Sequence, residues 1–193
     1  MEILGKMLGS TARVKIMRLF LLNKSVGFSN KDIVKRSRVN PTLVRREVRN
    51  LESIGFIKKH KNGFVFNSSF KFAREIEGLL INADTLDKET ILDNFKKVGK
   101  IKLLIIAGIF IKNKESRVDL LIVGDKMNKS KIDDGIKRLE AEIGMELSYA
   151  VFDKKEFIYR LNMYDKLIRD ILDFPHEVVL QTNELSTQTL KKA

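Results

Sequence analysis

The sequence contains no cysteine and only two histidines, His60 and His176. Without cysteine the chain can form no disulfide framework, no thiolate zinc site and no cysteine nucleophile. Two histidines so far apart in the chain supply little material for a histidine-built metal site or a Ser-His triad. We therefore expect no metal and no cofactor, and the sequence assigns no catalytic residue.

Long apolar runs are also missing. The longest, residues 103–111, has nine residues, whereas a helix needs about 20 to span a bilayer. The chain does not open with an apolar segment followed by a cleavage site. Its 193 residues are 44% apolar and 32% charged, which is typical of one large or two small globular domains. We expect a soluble cytoplasmic protein without a membrane partner.

The positive charge is confined to the first part of the chain. Residues 1–74 hold 17 Lys and Arg against four acids, a balance of +13, whereas the remaining residues hold 20 against 21. Such asymmetry indicates that one half meets a polyanion. A membrane surface is the weaker candidate, because no basic amphipathic helix stands apart from the core pattern. Nucleic acid is favoured.

Residues 40–55 carry two stripes at helical spacing. The apolar stripe comprises Val44, Val48 and Leu51. The polar stripe comprises Thr42, Arg45, Arg46 and Arg49. Asn40 can cap this helix, Pro41 suits its first position and Gly55 can end it. Like charges one turn apart repel each other, so the basic stripe is either a solvated face or a surface that binds a polyanion.

The neighbouring segments place this helix in a recognisable order. Ser10 can cap a helix that runs to about Leu22, and Ser29 with Asp32 forms a capping signal for a short helix. After the helix of residues 40–55, two strand-like runs follow, joined by 61–63, where Asn-Gly indicates a type I′ hairpin turn. This order is typical of a helix-turn-helix with a wing: a helix, a short helix, a tight turn, a capped basic helix and a basic hairpin.

On these residues the chain resembles the winged helix-turn-helix family over about residues 8–70, including the Leu51-to-Gly55 junction that leads into the hairpin. The resemblance implies that the recognition helix enters the major groove of duplex DNA. It assigns the DNA contacts to Thr42, Arg45, Arg46, Arg49, Lys59 and Lys61. The two lysines would lie near phosphate or the minor groove. Some members of this family bind proteins instead, and that alternative stays open.

The second half alternates strands and helices, which predicts an α/β layer. The expected strands cover residues 102–107, 118–123, 147–152 and 177–180, with Gly124 and Asp125 as a turn after the second strand. A helix is expected over residues 130–143. We therefore divide the chain into a first domain (1–82), a second domain (83–181) and a disordered tail (182–193).

This half resembles the nucleotidyltransferase fold over about residues 88–180. In active members a Gly-Ser or Gly-Gly pair ends one strand, and an Asp-x-Asp pair on the next strand holds two divalent ions. Here Gly108 is present, but Asp119 is the single acid of the matching strand in either alignment. One alignment places Arg117 at the other carboxylate position, and the second places Leu121 there. Glu146 stays open as a further acid.

The sequence predicts an α+β protein: a winged helix-turn-helix followed by a nucleotidyltransferase-like domain with a mixed sheet. The expected function is sequence-specific transcriptional regulation through double-stranded DNA. Gly108, Arg117 and Asp119 would form a degenerate site, and the second domain would sense a nucleotide or small-molecule effector or form a homodimer. The alternative is an active metal-dependent nucleotidyltransferase that uses the first domain for targeting.

Overall fold

The computed structural model describes residues 2–82, 86–113 and 115–185. These residues form a mixed α+β protein, which confirms the predicted class. Contacts divide the chain into two compact units: unit 1 contains Met1–Leu86 and Lys137–Glu146, and unit 2 contains Asp87–Ile136 and Leu147–Ala193. Within the described ranges, no helix has both the length and the apolar character to cross a membrane.

Unit 1 is built mainly from helices and one hairpin. Its helices are α1 (Glu2–Met7), α2 (Thr11–Leu22), α3 (Asn30–Ser37), α4 (Pro41–Ser53) and α5 (Ala73–Glu77), which continues as a π-helical turn (Gly78–Asn82). Its strands are β1 (Ile57–His60) and β2 (Gly63–Phe66), paired antiparallel. Helices α2, α3 and α4 pack on one another and bury a common apolar core.

Side-chain caps fix where the three packed helices begin. The Ser10 hydroxyl accepts a hydrogen bond from Arg13 N, and the Asn40 side-chain oxygen Oδ1 accepts one from Thr42 N. Ser29 and Asp32 form a reciprocal capping box. Each cap satisfies a backbone N–H that has no partner inside the helix. These contacts confirm the three predicted helix starts.

Unit 1 also includes residues 137–146, which the sequence assigned to the second domain. The buried Arg18 explains this difference, because its Nε donates to Leu80 O at 2.9 Å and its Nη1 donates to Glu142 O at 3.1 Å. Asn23 Nδ2 adds a 2.8 Å hydrogen bond to Gly144 O. Side chains of α2 and of the residue after it thus bind the backbone carbonyls of Leu80, Glu142 and Gly144, which lie far from α2 in the sequence.

The hairpin differs from the predicted type I′ turn. The sequence placed Asn62 and Gly63 at the two turn positions, but His60 pairs with Gly63, so the loop consists of Lys61 and Asn62. Neither loop residue has a positive φ, whereas Gly63, the first residue of β2, has φ +123°. A Cβ at residue 63 would lie 2.2 Å from Phe28 O. The hairpin prediction is confirmed and its turn type is wrong, because the glycine serves a close backbone approach.

Unit 2 contains a four-stranded mixed sheet with helices on it. Its strands are β3 (Lys100–Ile106), β4 (Leu120–Asp125), β5 (Tyr149–Asp153) and β6 (Glu177–Gln181), in the order β5-β4-β3-β6. Its helices are α6 (Lys88–Asp93), α8 (Lys154–Asn162) and α9 (Lys166–Asp173), and α7 (Lys129–Ile143) begins in this unit. Strands β4 and β5 are parallel, and the other pairs are antiparallel.

Alternate residues of the sheet face opposite layers. Leu103, Ile105, Leu121 and Val123 belong to the core cluster that includes Phe157 of α8 and Ile168 of α9. Leu104, Leu120 and Ile122 are also buried, which is why these strands read as continuous apolar runs rather than as an alternation. The central strands are therefore covered on both faces.

Strand β4 starts and ends later than predicted. It begins at Leu120 rather than residue 118, and it continues through Gly124 and Asp125, which were predicted as a turn. These two residues pair with Ile101 and Lys100 of β3. The N–H of Asp119 donates to the O atom of Ser148, the residue before β5, and its C=O accepts a hydrogen bond from the N–H of Ala107, the residue after β3. Asp119 therefore lies just before the strand.

The predicted disordered tail began at residue 182, but the chain has defined structure as far as residue 185. Asn183–Leu185 forms a 3-10 helix, and the Leu185 side chain is buried. Glu184 accepts hydrogen bonds from Lys102 and Lys154, which lower the pKa of its carboxyl to about 2. Residues 186–193 of the predicted tail lie outside the described residues.

Candidate functional site

The predicted DNA-contact residues of α4 share one exposed face. The exposed set comprises Thr42, Arg45, Arg46 and Arg49. The apolar stripe of the same helix, Val44, Val48 and Leu51, is buried in the unit 1 core. A helix with these two faces is fixed by its apolar side and presents its guanidiniums outward. The basic stripe predicted from the sequence is therefore assembled on the surface of unit 1.

The buried face of α4 also contains a carboxylate, Glu47, that was not among the residues predicted from the sequence. Glu47 has no exposed surface, although Glu is almost never fully buried unless it is paired. Its Oε2 accepts a 2.8 Å hydrogen bond from Arg13 Nε, and its Oε1 accepts a 3.0 Å hydrogen bond from Arg46 Nη2. One signal was available: Glu47 lies between Val44 and Leu51 on the apolar stripe.

The ionised form of Glu47 is the stable form. Burial alone would raise its pKa, but hydrogen bonds from Arg13 and Arg46, together with the Arg13 charge, hold the pKa of this carboxyl below its usual value. A contact with the Ser10 hydroxyl acts in the same direction. A buried negative charge thus lies directly beneath one of the three arginines of the exposed face.

The other two arginines are held differently. Arg49 Nε donates to the backbone oxygen of Arg45, one turn earlier, at 3.3 Å. Within the described parts of the chain, the Arg45 side chain makes no ion pair with a carboxylate, and neither does that of Arg49. Arg46 is therefore distinguished from its neighbours by the buried acid that contacts it.

The basic hairpin follows α4 directly in the chain. Lys58, Lys59 and Lys61 are exposed, and Lys59 Nζ lies 3.6 Å from Glu52 Oε1. An exposed ion pair at this distance contributes little stability. The Lys59 charge is therefore partly offset by a carboxylate at the end of α4, whereas Lys61 lies in the hairpin loop itself.

The hairpin is positioned by a backbone contact with the segment before α3. Phe28 and Phe64 exchange two hydrogen bonds of 2.8 Å between their backbone N–H and C=O groups. Phe28 precedes Ser29, the residue that caps α3. The hairpin, the start of α3 and the basic face of α4 are consequently parts of one packed unit.

The loop after β3 in unit 2 holds the residues of the predicted degenerate site. Asp119 Oδ1 accepts a 2.9 Å hydrogen bond from Ile109 N, and Asp119 Oδ2 accepts one of 2.9 Å from Ser148 N. Gly108 has φ +52°, and a Cβ there would lie 2.1 Å from Asp119 Oδ1. The structure thus brings Gly108 and Asp119 together, with the carboxylate tying two backbone segments.

Arg117 does not join them in this contact. Its Nε forms a 2.5 Å ion pair with Asp170 Oδ2 of α9, and Glu146 pairs with Arg36 at 2.8 Å in unit 1. A two-metal site needs carboxylate oxygens that converge on the ions. Both oxygens of Asp119 accept backbone N–H groups, whereas Arg117 and Glu146 pair with other side chains.

We expect Asp119→Asn to lower the free energy of unfolding of the chain by about 1–2 kcal/mol, because one acceptor oxygen becomes an NH₂ group that faces a backbone N–H. Urea denaturation of the full chain measures this loss. Asp173→Asn is the matched control, since Asp173 is exposed and forms a 3.5 Å pair with Arg169. Equal effects of the two variants would show that the Asp119 contacts do not stabilise the loop.

No family model, no curated protein and no solved structure matches this chain. Function is therefore inferred from the residues and their geometry. In unit 1 that geometry is an exposed basic helix face beside a basic hairpin. In unit 2 it is an aspartate hydrogen-bonded to the backbone beside a glycine.

Proposed function

We propose that the chain is a DNA-binding regulator whose unit 1 is a winged helix-turn-helix. In this assignment α3 and α4 form the helix-turn-helix, α4 enters the major groove and the β1–β2 hairpin is the wing. The observation that carries the proposal is the single exposed face of α4, where Arg45, Arg46 and Arg49 project while the opposite face is buried.

The charge distribution supports a polyanionic partner. The balance of +13 within residues 1–74 includes the three arginines of α4 and the three lysines of the hairpin. Arginine pairs bidentately with guanine O6 and N7 in the major groove. Lysine contacts to phosphate position the protein without reading sequence. The arrangement thus offers both kinds of contact from adjacent parts of one unit.

Substitutions in the two parts should have different effects on specificity. We expect Arg45→Ala or Arg49→Ala to weaken binding to a preferred duplex by about 1–3 kcal/mol and to relax the base preference at one position. Lys61→Ala should weaken binding to all duplexes about equally. Competition binding against single-base variants of a duplex selected from a random library measures both effects. Uniform loss of affinity in the arginine variants would refute the groove assignment.

For unit 2 we propose a nucleotidyltransferase-like sensing or dimerisation module without turnover. The hydrogen bonds that Asp119 accepts from Ile109 N and Ser148 N support a structural role for this carboxylate. The pairing of Arg117 with Asp170 is a second support, because it accounts for the arginine without a nucleotide. Magnesium-dependent nucleotidyl transfer that is lost in Asp119→Asn would instead favour the enzyme.

A further inference from the structure

Arg46 differs from Arg45 and Arg49 in having a buried anchor. The Glu47 carboxylate contacts Arg46 Nη2 at 3.0 Å, although adjacent residues of a helix point in different directions. The long Arg46 side chain therefore bends back toward the core, and its exposed fraction is still 61%. This contact involves one nitrogen, so the guanidinium can still present other N–H groups outward.

The anchor itself is held from a second helix. Arg13 of α2 donates through Nε to Glu47 Oε2 at 2.8 Å, and its Nη1 donates to Leu8 O at 3.0 Å. Glu47 thus cannot rotate without breaking a charge-assisted hydrogen bond inside the unit. A carboxylate fixed in this way restricts the rotamers of the arginine bound to it.

We propose that Glu47 is a positioning residue that orients Arg46 for base recognition in the major groove. The inference rests on the proposed DNA-binding function. A long arginine loses considerable rotamer freedom when it binds a base edge, and an arginine that is already oriented loses less. Glu47 also partly offsets the charge of Arg46, which weakens its general attraction to phosphate. The buried acid therefore favours sequence readout by Arg46 over non-specific binding.

Glu47→Gln separates this role from simple stabilisation, because the amide keeps the shape of the side chain and removes its charge. We expect the full-length variant to lose roughly fivefold or more of its discrimination at the base that Arg46 reads. Its binding to non-specific duplexes should strengthen, with the slope of log K against log salt steeper by up to about 0.9. A purely structural role would instead weaken binding to all sequences together.

The experiment selects preferred duplexes from a randomised library with the wild-type chain and identifies the Arg46 position with Arg46→Ala. Discrimination at that position is then compared in wild type, Glu47→Gln, Arg46→Ala and the double variant. We expect Glu47→Gln to have no further effect on this position in the Arg46→Ala background. Arg45→Ala is the matched control, since the base read by Arg45 should stay sensitive to Arg45 and insensitive to Glu47.

Glu47→Asp replaces Glu47→Gln in this experiment if circular dichroism shows that Glu47→Gln is not folded. It keeps the charge but withdraws the carboxylate by one methylene, so we expect loss of discrimination with an unchanged salt slope. Unaltered discrimination in the folded Glu47 variant would overturn the positioning role and leave DNA binding intact. A wild-type chain that selects no duplex, or binds none at low salt, would refute the proposed function itself.

Discussion

The dissociation constant of the full chain for duplex DNA is expected to rise by about 10³ between 50 and 200 mM salt. This value follows if about six basic side chains neutralise phosphates, since log K falls by about 0.9 per neutralised phosphate for each unit of log salt. The exposed basic side chains of unit 1 that the groove assignment leaves for phosphate include Lys31, Lys35, Arg38, Lys58, Lys59 and Lys61. Fluorescence anisotropy titrations over this salt range measure the slope.

Two variants, each with three lysines replaced, test which basic residues contact DNA phosphates. Changing the three hairpin lysines to glutamine should make the slope shallower by roughly 2.7, if each contacts a phosphate. The matched control changes three exposed lysines of unit 2, Lys129, Lys131 and Lys155, and removes the same charge. We expect little change in the control. A similar change in slope for both variants would contradict the assignment of DNA binding to unit 1.

The parts of unit 1 that the sequence predicted best are those determined by neighbouring residues. Ser10, Ser29 and Asn40 cap the helices that they were predicted to cap, because a cap needs only a side-chain oxygen two or three residues from a backbone N–H. The apolar and basic stripes of α4 could be predicted because they also depend on residues close together in the sequence. Helical spacing alone decides which residues share a face.

Contacts between distant segments could not be predicted in this way. The apolar stripe places Glu47 on the buried face of α4, but its partner Arg13 lies 34 positions earlier in the chain. Residues 137–146 contact unit 1 through pairs such as Arg18 Nη1 and Glu142 O, which lie 124 positions apart. No periodicity in either segment reports such a partner. Both contacts belong to tertiary packing.

Asp119 shows a similar limit in unit 2. The sequence identified it beside Gly108 from a resemblance, and the structure does bring these two residues together. The resemblance could not show that Ile109 N and Ser148 N occupy the two carboxylate oxygens. Those donors come from backbone groups, which carry no residue-type signal. The chemistry of the loop is therefore decided by backbone geometry that the motif alone does not contain.

Gly63→Ala is expected to lower the free energy of unfolding by more than about 3 kcal/mol, because it combines backbone strain with a steric clash. Residue 63 has φ +123°, which L-residues rarely adopt, and its Cβ would lie 2.2 Å from Phe28 O and 2.7 Å from Ser29 N. Both neighbours are backbone atoms, so no flexible side chain can move aside. Relief of the clash requires separation of the hairpin from the segment that leads into α3.

Gly9→Ala separates the two contributions. Gly9 also has a positive φ, +72°, but no described heavy atom beyond its two chain neighbours lies within 4 Å of a Cβ built there. Gly9→Ala should lower the free energy of unfolding by about 1–2 kcal/mol, which is the cost of a positive φ for a residue with a Cβ. Urea denaturation of both variants gives the difference, which measures the close approach of Gly63 to Phe28. Equal losses would mean that the hairpin is not held against Phe28.

With the contact broken, we expect Gly63→Ala to have a shallower salt slope for DNA binding, because the hairpin lysines are no longer held beside α4.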